Sequence, residues 1–243
     1  MIKTPKFWYY NNTSSTIIAL ALYPLSIIWI IISFVKKIFI KPYKSKLKVI
    51  CVGNLNIGGT GKTPFTIYTF KILKKLGYKP VFLTRGYKGL EKGPVKVRPD
   101  HNFNDVGDEA LLLSKVGPTV VSVNRSLGAK FIEGLKNNYN VILMDDGLQN
   151  NTLEQDIKLL LVDKKLKFGD GFCFPSGPLR EPKKQGLENI NAIILTGNDK
   201  KFINYNDKFD HKTIFNSSIK IIKSSITKTT NIFAFCALAN PDK

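Results

Sequence analysis

Residues 54–65 read NLNIGGTGKTPF, a grouping that suits the binding of phosphate. Gly58, Gly59 and Gly61 let the backbone curl so that successive N–H groups turn inward toward phosphate oxygens, with Thr60 carried between them. Lys62 follows as a compact cation for the outer phosphates of a nucleotide, and the Thr63 hydroxyl is a natural ligand for Mg²⁺. Against the pattern G-x-x-x-x-G-K-[ST] one position departs: Asn56 stands where the opening glycine belongs, followed by Ile57. The Gly58–Gly59 pair supplies two permissive residues just beyond it, so the loop is still expected to hold a nucleotide.

Such a loop needs an acid at the end of a neighbouring strand for its metal. VILMDDGLQ supplies Asp145 and Asp146 after four apolar residues, with Gln149 close behind. Charged groups at the end of a buried run require a partner, and a metal ion or its water is one; an Asp-Gly turn is the plain structural alternative. NDVGDEALLL places Asp105, Asp108 and Glu109 at a helix start, where acids are favoured by the helix dipole in any case. The chemical reading is that Gly107 exposes Asp108 to accept the proton of an attacking hydroxyl, with Glu109 supporting it or the metal. Of 37 basic residues only four are arginine. Three of these, Arg85, Arg125 and Arg180, fall in glycine- or proline-marked segments (TRGYKG, NRSLGAK, SGPLREP), as expected of planar forks for a phosphorylated substrate. Residues 168–182, FGDGFCFPSGPLREP, form a stiff loop that either holds Arg180 against phosphate or sugar or pins a domain junction. His101 and His211 lie in no catalytic context and are expected to be solvated.

The elements that must position these groups follow from pattern. Short apolar runs at LKVICVGN, KPVFLTRGY, TVVSVN, NVILMDDG, IKLLLVD and NAIILTGN alternate with helical stretches, the signature of buried strands in a parallel α/β sheet flanked by helices. A strand, the glycine loop and a helix over about 64–76 then come in the order a phosphate site requires. Residues 199–230 are polar, with weak strand character at TIFNSSIKIIK, and NIFAFCALA reads as a final strand. The chain divides into an apolar N-terminal segment with a basic collar (1–46), a phosphate-loop domain (47–198) and a linker with the start of a smaller α/β domain (199–243). Ile17–Val35 is an uncharged 19-mer, roughly 28 Å long as a helix, close to the thickness of a bilayer core. Trp8, Tyr9, Tyr10 and Trp29 suit the headgroup level, and six lysines between Lys36 and Lys48 suit an anionic cytoplasmic surface. A helix that spans and one that lies in the surface both fit this length. The formal charge is +19, yet no RNA-binding aromatic pattern or zinc-finger spacing accompanies it, so nucleic acid is the least supported partner. Cys51, Cys173 and Cys236 are scattered, which fits a reducing compartment without a disulfide frame.

Taken together, VGNLNIGGTGKTP, LTRGYKG, VGDEALLL, NRSLGAKF, MDDGLQ, FPSGPLREP and FAFCALANPDK, in this order behind an apolar N-terminal segment, resemble the tetraacyldisaccharide 4′-kinase (lipid A 4′-kinase) family of Gram-negative bacteria. The resemblance implies two α/β/α sandwich domains and Mg²⁺-dependent transfer of the γ-phosphoryl group of ATP. The acceptor would be the 4′-hydroxyl of an acylated glucosamine disaccharide 1-phosphate, at the cytoplasmic face of the inner membrane. It matches Asp108 to the family's catalytic Asp, and Thr63 with the Asp145–Asp146 pair to its nucleotide–metal site. Two positions depart from the family's habit, Asn150 where His is usual and Asp170 where Asn is usual. The family also continues beyond the position of Lys243, with a His that pairs with the catalytic Asp; the resemblance therefore implies an incomplete C-terminal domain and weak transfer by this chain alone. Two other readings stay open. One is a membrane-recruited ATPase switch of the ParA/MinD kind, although Ile57 occupies the place of that loop's first lysine; the other is a non-catalytic nucleotide binder. Oligomeric state has no sequence correlate here.

Overall fold

The computed structural model describes residues 4–10, 12–197 and 212–218. Eight strands form one sheet: β1 (Lys48–Gly53), β2 (Pro80–Thr84), β3 (Val95–Lys96), β4 (Thr119–Val121), β5 (Val141–Asp145), β6 (Ile157–Asp163), β7 (Ala192–Thr196) and β8 (Thr213–Ser217). Their spatial order is β3-β4-β2-β5-β1-β6-β7-β8. Every pairing is parallel except that of β3 with β4, where a two-residue strand caps one edge. β3 left no pattern in the sequence because two half-exposed residues carry no period. β8 lies within the segment expected to be linker and second domain, and it continues this same sheet. The expected final strand NIFAFCALA, together with His211 and Cys236, lies outside the described residues.

The central strands are buried on both faces, and their alternation sorts side chains between two cores. Val141 and Leu143 of β5 pack with Phe70 and Leu73 of α2 (Lys62–Lys75) and Leu113 of α4 (Asp108–Ser114). Ile142 and Met144 point the other way, against Ala129 and Ile132 of α5 (Arg125–Gly134). A period of two on a strand produces this division, and the helix layers on either side give the α/β/α sandwich expected from the apolar runs. α3 (Phe103–Val106) precedes α4, and α6 (Lys183–Glu188) precedes β7.

Helix α1 (Thr13–Ile38) inverts the usual arrangement. It is one continuous helix with Pro24 inside it, capped by Asn12, whose side chain accepts from the Ser15 amide at 2.8 Å. Its inward residues are small or polar: Ser15, Ala19 and Ser26 are buried, Ile30 packs on the core beside β6 and β7, and Lys37 is tied to Glu181. These positions recur at intervals of 4, 7, 4 and 7 and so fall on one stripe of a 3.6-residue helix. The rest of the surface, including Ile17, Leu20, Leu25, Ile28, Ile31 and Phe34, is apolar and exposed. The stripe docks on residues 168–182: Ser26 donates to the Cys173 carbonyl at 2.8 Å, the Ser176 amide donates to the Ser26 hydroxyl at 3.0 Å, and the Ser176 hydroxyl donates to the Ala19 carbonyl at 2.8 Å.

Candidate active site

The functional side chains gather at the C-terminal ends of the parallel strands, where an open α/β sheet presents its crevice. β1 ends at Gly53, and the loop that follows is attached at one end and free to curl at the other. Asn56 is buried, forms an isolated bridge with Leu179, and donates through Nδ2 to the Lys167 carbonyl at 2.9 Å. The Ile57 amide donates to the Pro178 carbonyl at 2.7 Å. Asn56 keeps an ordinary negative φ, so the position does not require the missing glycine; attachment to the 168–182 loop replaces it. Gly58 (φ 119°) and Gly61 (φ 82°) take the conformations that L side chains avoid, and Gly61 caps α2. The amides turned toward a phosphate are thus those from Gly58 onward, at the positive end of a 14-residue helix.

β5 delivers the two acids in different states. Asp145 is 2 % exposed and accepts hydrogen bonds from Thr66 Oγ1 at 2.8 Å and Thr63 Oγ1 at 3.2 Å. Burial pushes its pKa up, and the neighbouring Asp146 adds to this against the two hydroxyls. Asp146 takes a left-handed backbone (φ 50°), a strained choice for a residue other than glycine, with its amide donating to the Val52 carbonyl at 2.9 Å. That turn aims its carboxylate at two cations: Arg180 grips it with both terminal nitrogens, at 2.9 and 3.2 Å, and Lys62 Nζ lies 3.6 Å away. Burial opposes its ionisation too, but Lys62 and Arg180 outweigh that and hold its pKa below the usual range. Adjacent carboxylates driven in opposite directions are a mark of functional sites.

A hydroxyl and two carboxylates form an all-oxygen donor set of the kind a hard divalent cation takes. Among the described residues no cluster of three or more His, Cys, Asp or Glu could hold a metal by itself. A phosphate-loop metal draws further ligands from phosphate and water, so the partial set on Thr63, Asp145 and Asp146 fits. A concavity of about 230 Å³ lined by Phe70, Lys74, Tyr78 and Pro118 contains no acid and lies at the other end of the strands.

Residues 18–243 match the family described as tetraacyldisaccharide-1-P 4′-kinase. A tetraacyldisaccharide 4′-kinase of Rickettsia bellii is 35 % identical over 98 % of this chain and 72 % of its own length. That of Paramagnetospirillum magneticum is 41 % identical over 82 % of this chain and 60 % of its own. The chain belongs to this family. A crystal structure of LpxK from Aquifex aeolicus in complex with ATP superposes with a TM-score of 0.68 at 31 % identity, covering 82 % of this chain and 64 % of that one. The chain thus spans roughly three fifths to seven tenths of the relatives it matches.

Within the kinase frame, the expected groups sort into three tiers. Lys62, Thr63, Asp145, Asp146, Arg180 and Gln149 converge directly: Gln149 Oε1 accepts from Arg180 at 3.2 Å. Glu109 joins them through its charge. Burial first, then Asp145 and Asp146, push its pKa up to about 7 against the pull of Lys62. Asp108 is exposed at the start of α4, its Oδ1 accepting the Glu109 amide at 2.9 Å. Gly107 (φ 85°) makes that corner; a Cβ there would strike the Tyr87 carbonyl. Arg125 is different: it is 3 % exposed, donates to the Ser122 carbonyl at 2.6 Å, and its Nε finds no partner among the described residues. Burial, and then Arg85, lower its pKa to about 10, while Asp146 and Asp145 pull it back up. Arg85 itself is exposed beyond β2. Thr66 and Glu181 were absent from the expected site. Thr66 stands one turn beyond Lys62 on the loop-facing side of α2, a spacing that could have flagged it; Glu181 could have been flagged only by its adjacency to Arg180.

Proposed function

We propose that this chain binds Mg–ATP on the loop from Gly58 to Thr63. In this reading it directs the γ-phosphoryl group to the 4′-hydroxyl of an acylated glucosamine disaccharide 1-phosphate at the cytoplasmic face of the inner membrane. The observation that carries it is the convergence of Lys62, Thr63, Asp145, Asp146 and Arg180 on one crevice, beside a helix whose outer surface is apolar. Bound Mg–ATP would supply the transferable group and screen its charge. Thr63, with Asp145 behind it, would hold the metal. Lys62 and Arg180 would leave Asp146 to meet the phosphate charge. Asp108, exposed at the start of α4, would accept the sugar hydroxyl's proton; Glu109 keeps the neighbourhood from accumulating a third fixed charge below about pH 7. Arg85 and the lysine collar would supply cations for the acceptor's phosphate and the anionic membrane surface.

A glycolipid leaves a bilayer at a cost of about 0.8 kcal/mol per buried CH₂, so its kinase must work at the surface. Docking of α1 along its length on residues 168–182 supports a helix lying in that surface with its apolar side in lipid. The test is product analysis with γ-labelled ATP and the acylated disaccharide 1-phosphate in mixed micelles. Label in the glycolipid, lost in Lys62→Ala, is expected; label found only as inorganic phosphate overturns the kinase reading in favour of an ATPase switch.

A further inference from the structure

Lys37 lies in the last turn of α1, among lysines suited to the membrane surface, yet it turns inward. Its Nζ sits 2.9 Å from Glu181 Oε2, a carboxylate 7 % exposed. The other oxygen, Oε1, accepts from Gln149 Nε2 at 3.0 Å, and the same nitrogen donates to the Asn54 carbonyl at 3.1 Å. Both acceptors face the amide nitrogen, so Gln149 presents its oxygen to Arg180; a flipped amide would oppose donor to donor at the guanidinium. Arg180 then grips Asp146, which faces Lys62 of the phosphate loop. A second tie runs alongside, from Trp29 Nε1 of α1 to the Arg180 carbonyl at 3.0 Å. An unbroken line of polar contacts thus joins the lipid-facing helix to the lysine of the loop.

We propose that Lys37 is a positioning residue for the nucleotide site. By neutralising Glu181 it prevents that carboxylate from competing with Asp146 for the adjacent guanidinium. Arg180, Asp146 and Lys62 are thereby held in register with the seating of α1 on the domain. This inference rests on the crevice being a nucleotide site. Removing the cation from a part-buried pair leaves the enclosed Glu181 carboxylate uncompensated, and Arg180 already shares Gln149 with that carboxylate.

The experiment measures Mg–ATP affinity of the full chain in detergent micelles, with Lys62→Ala as reference. Lys37→Met is expected to weaken binding about 10-fold, Lys37→Arg to stay within about 2-fold, and Lys37→Met/Glu181→Gln to recover to within about 3-fold, because the competing charge has gone. Arg98→Met removes the same charge from an exposed pair with Asp100 at 3.0 Å, and is expected to leave affinity unchanged. Wild-type affinity in Lys37→Met, or a double variant as weak as the single, overturns the proposal while the nucleotide site stands. Wild-type affinity in Lys62→Ala instead removes the site reading itself, and the inference with it.

Discussion

A carboxylate at the end of an all-apolar strand survives only if hydrogen bonds or cations answer it, and Asp145 and Asp146 are answered differently. Asp145 depends on two hydroxyls. Thr66→Val removes the shorter hydrogen bond without changing shape much, and urea unfolding is expected to show a loss of about 2 kcal/mol, in the range of a bond to a charged group. Glu109 makes a pH prediction. Its folded pKa of about 7 lies above the ordinary 4.5, so its contribution to stability is fully present below pH 4.5 and is lost as pH rises through 7. Glu109→Gln should therefore raise the thermal midpoint of the nucleotide-free chain at pH 8, and flatten its pH dependence between 5 and 8; an unchanged profile would show that Glu109 ionises like a surface acid. Asp108→Ala is expected to leave ATP binding nearly intact and to cut phosphoryl transfer by at least about 100-fold. The glycine loop and the tandem acids were legible because their types and spacing carry the chemistry directly. Lys37 and Glu181 were not, since one lysine among so many has no mark until its partner is seen. The burial of Arg125 was hidden for a related reason: a lone arginine at a helix start reads as exposed.

At the scale of elements, the six principal strands were legible because both of their faces are apolar, although the runs at β2 and β4 overran the strand ends by three residues, and α2 followed from the loop. What pattern could not give was the side on which α1 docks. Its stripe of Ser15, Ala19, Ser26, Ile30 and Lys37 runs about 33 Å along the helix at 1.5 Å per residue, and small residues there let the backbone approach residues 168–182 closely. In the proposed arrangement, with α1 lying in the surface, both of its ends would stay on one side of the membrane. Single cysteines introduced at Asn12 and Phe39 in a Cys236→Ser chain, where Cys51 and Cys173 are buried, are expected to react equally with an impermeant maleimide from the cytoplasmic side. Protection of the Asn12 position alone would establish a span. Ala19→Leu should unseat the stripe, because Ala19 is buried against Ser176, and is expected to lower the thermal midpoint while leaving membrane recovery intact.

For the whole molecule, a formal charge of +19 and an apolar flank act together. Association with anionic vesicles is expected to weaken as salt rises from 0.05 to about 0.5 M without vanishing, since screening removes the Coulombic part and leaves the buried hydrocarbon. Vesicle sedimentation measures this, and complete release at high salt would limit the contact to lysines. The tie between Ser26 and Cys173 also sets a schedule for biosynthesis. The two residues are 147 positions apart, so at roughly 5–20 residues per second the ribosome finishes the helix some 7–30 s before the loop that will receive it exists. During that interval the hydroxyls of the stripe have only their own helix's carbonyls to bond, and the segment has not yet met its domain. In the proposed membrane setting, anchoring would precede maturation of the crevice, and the phosphate-loop domain would assemble where its acceptor resides.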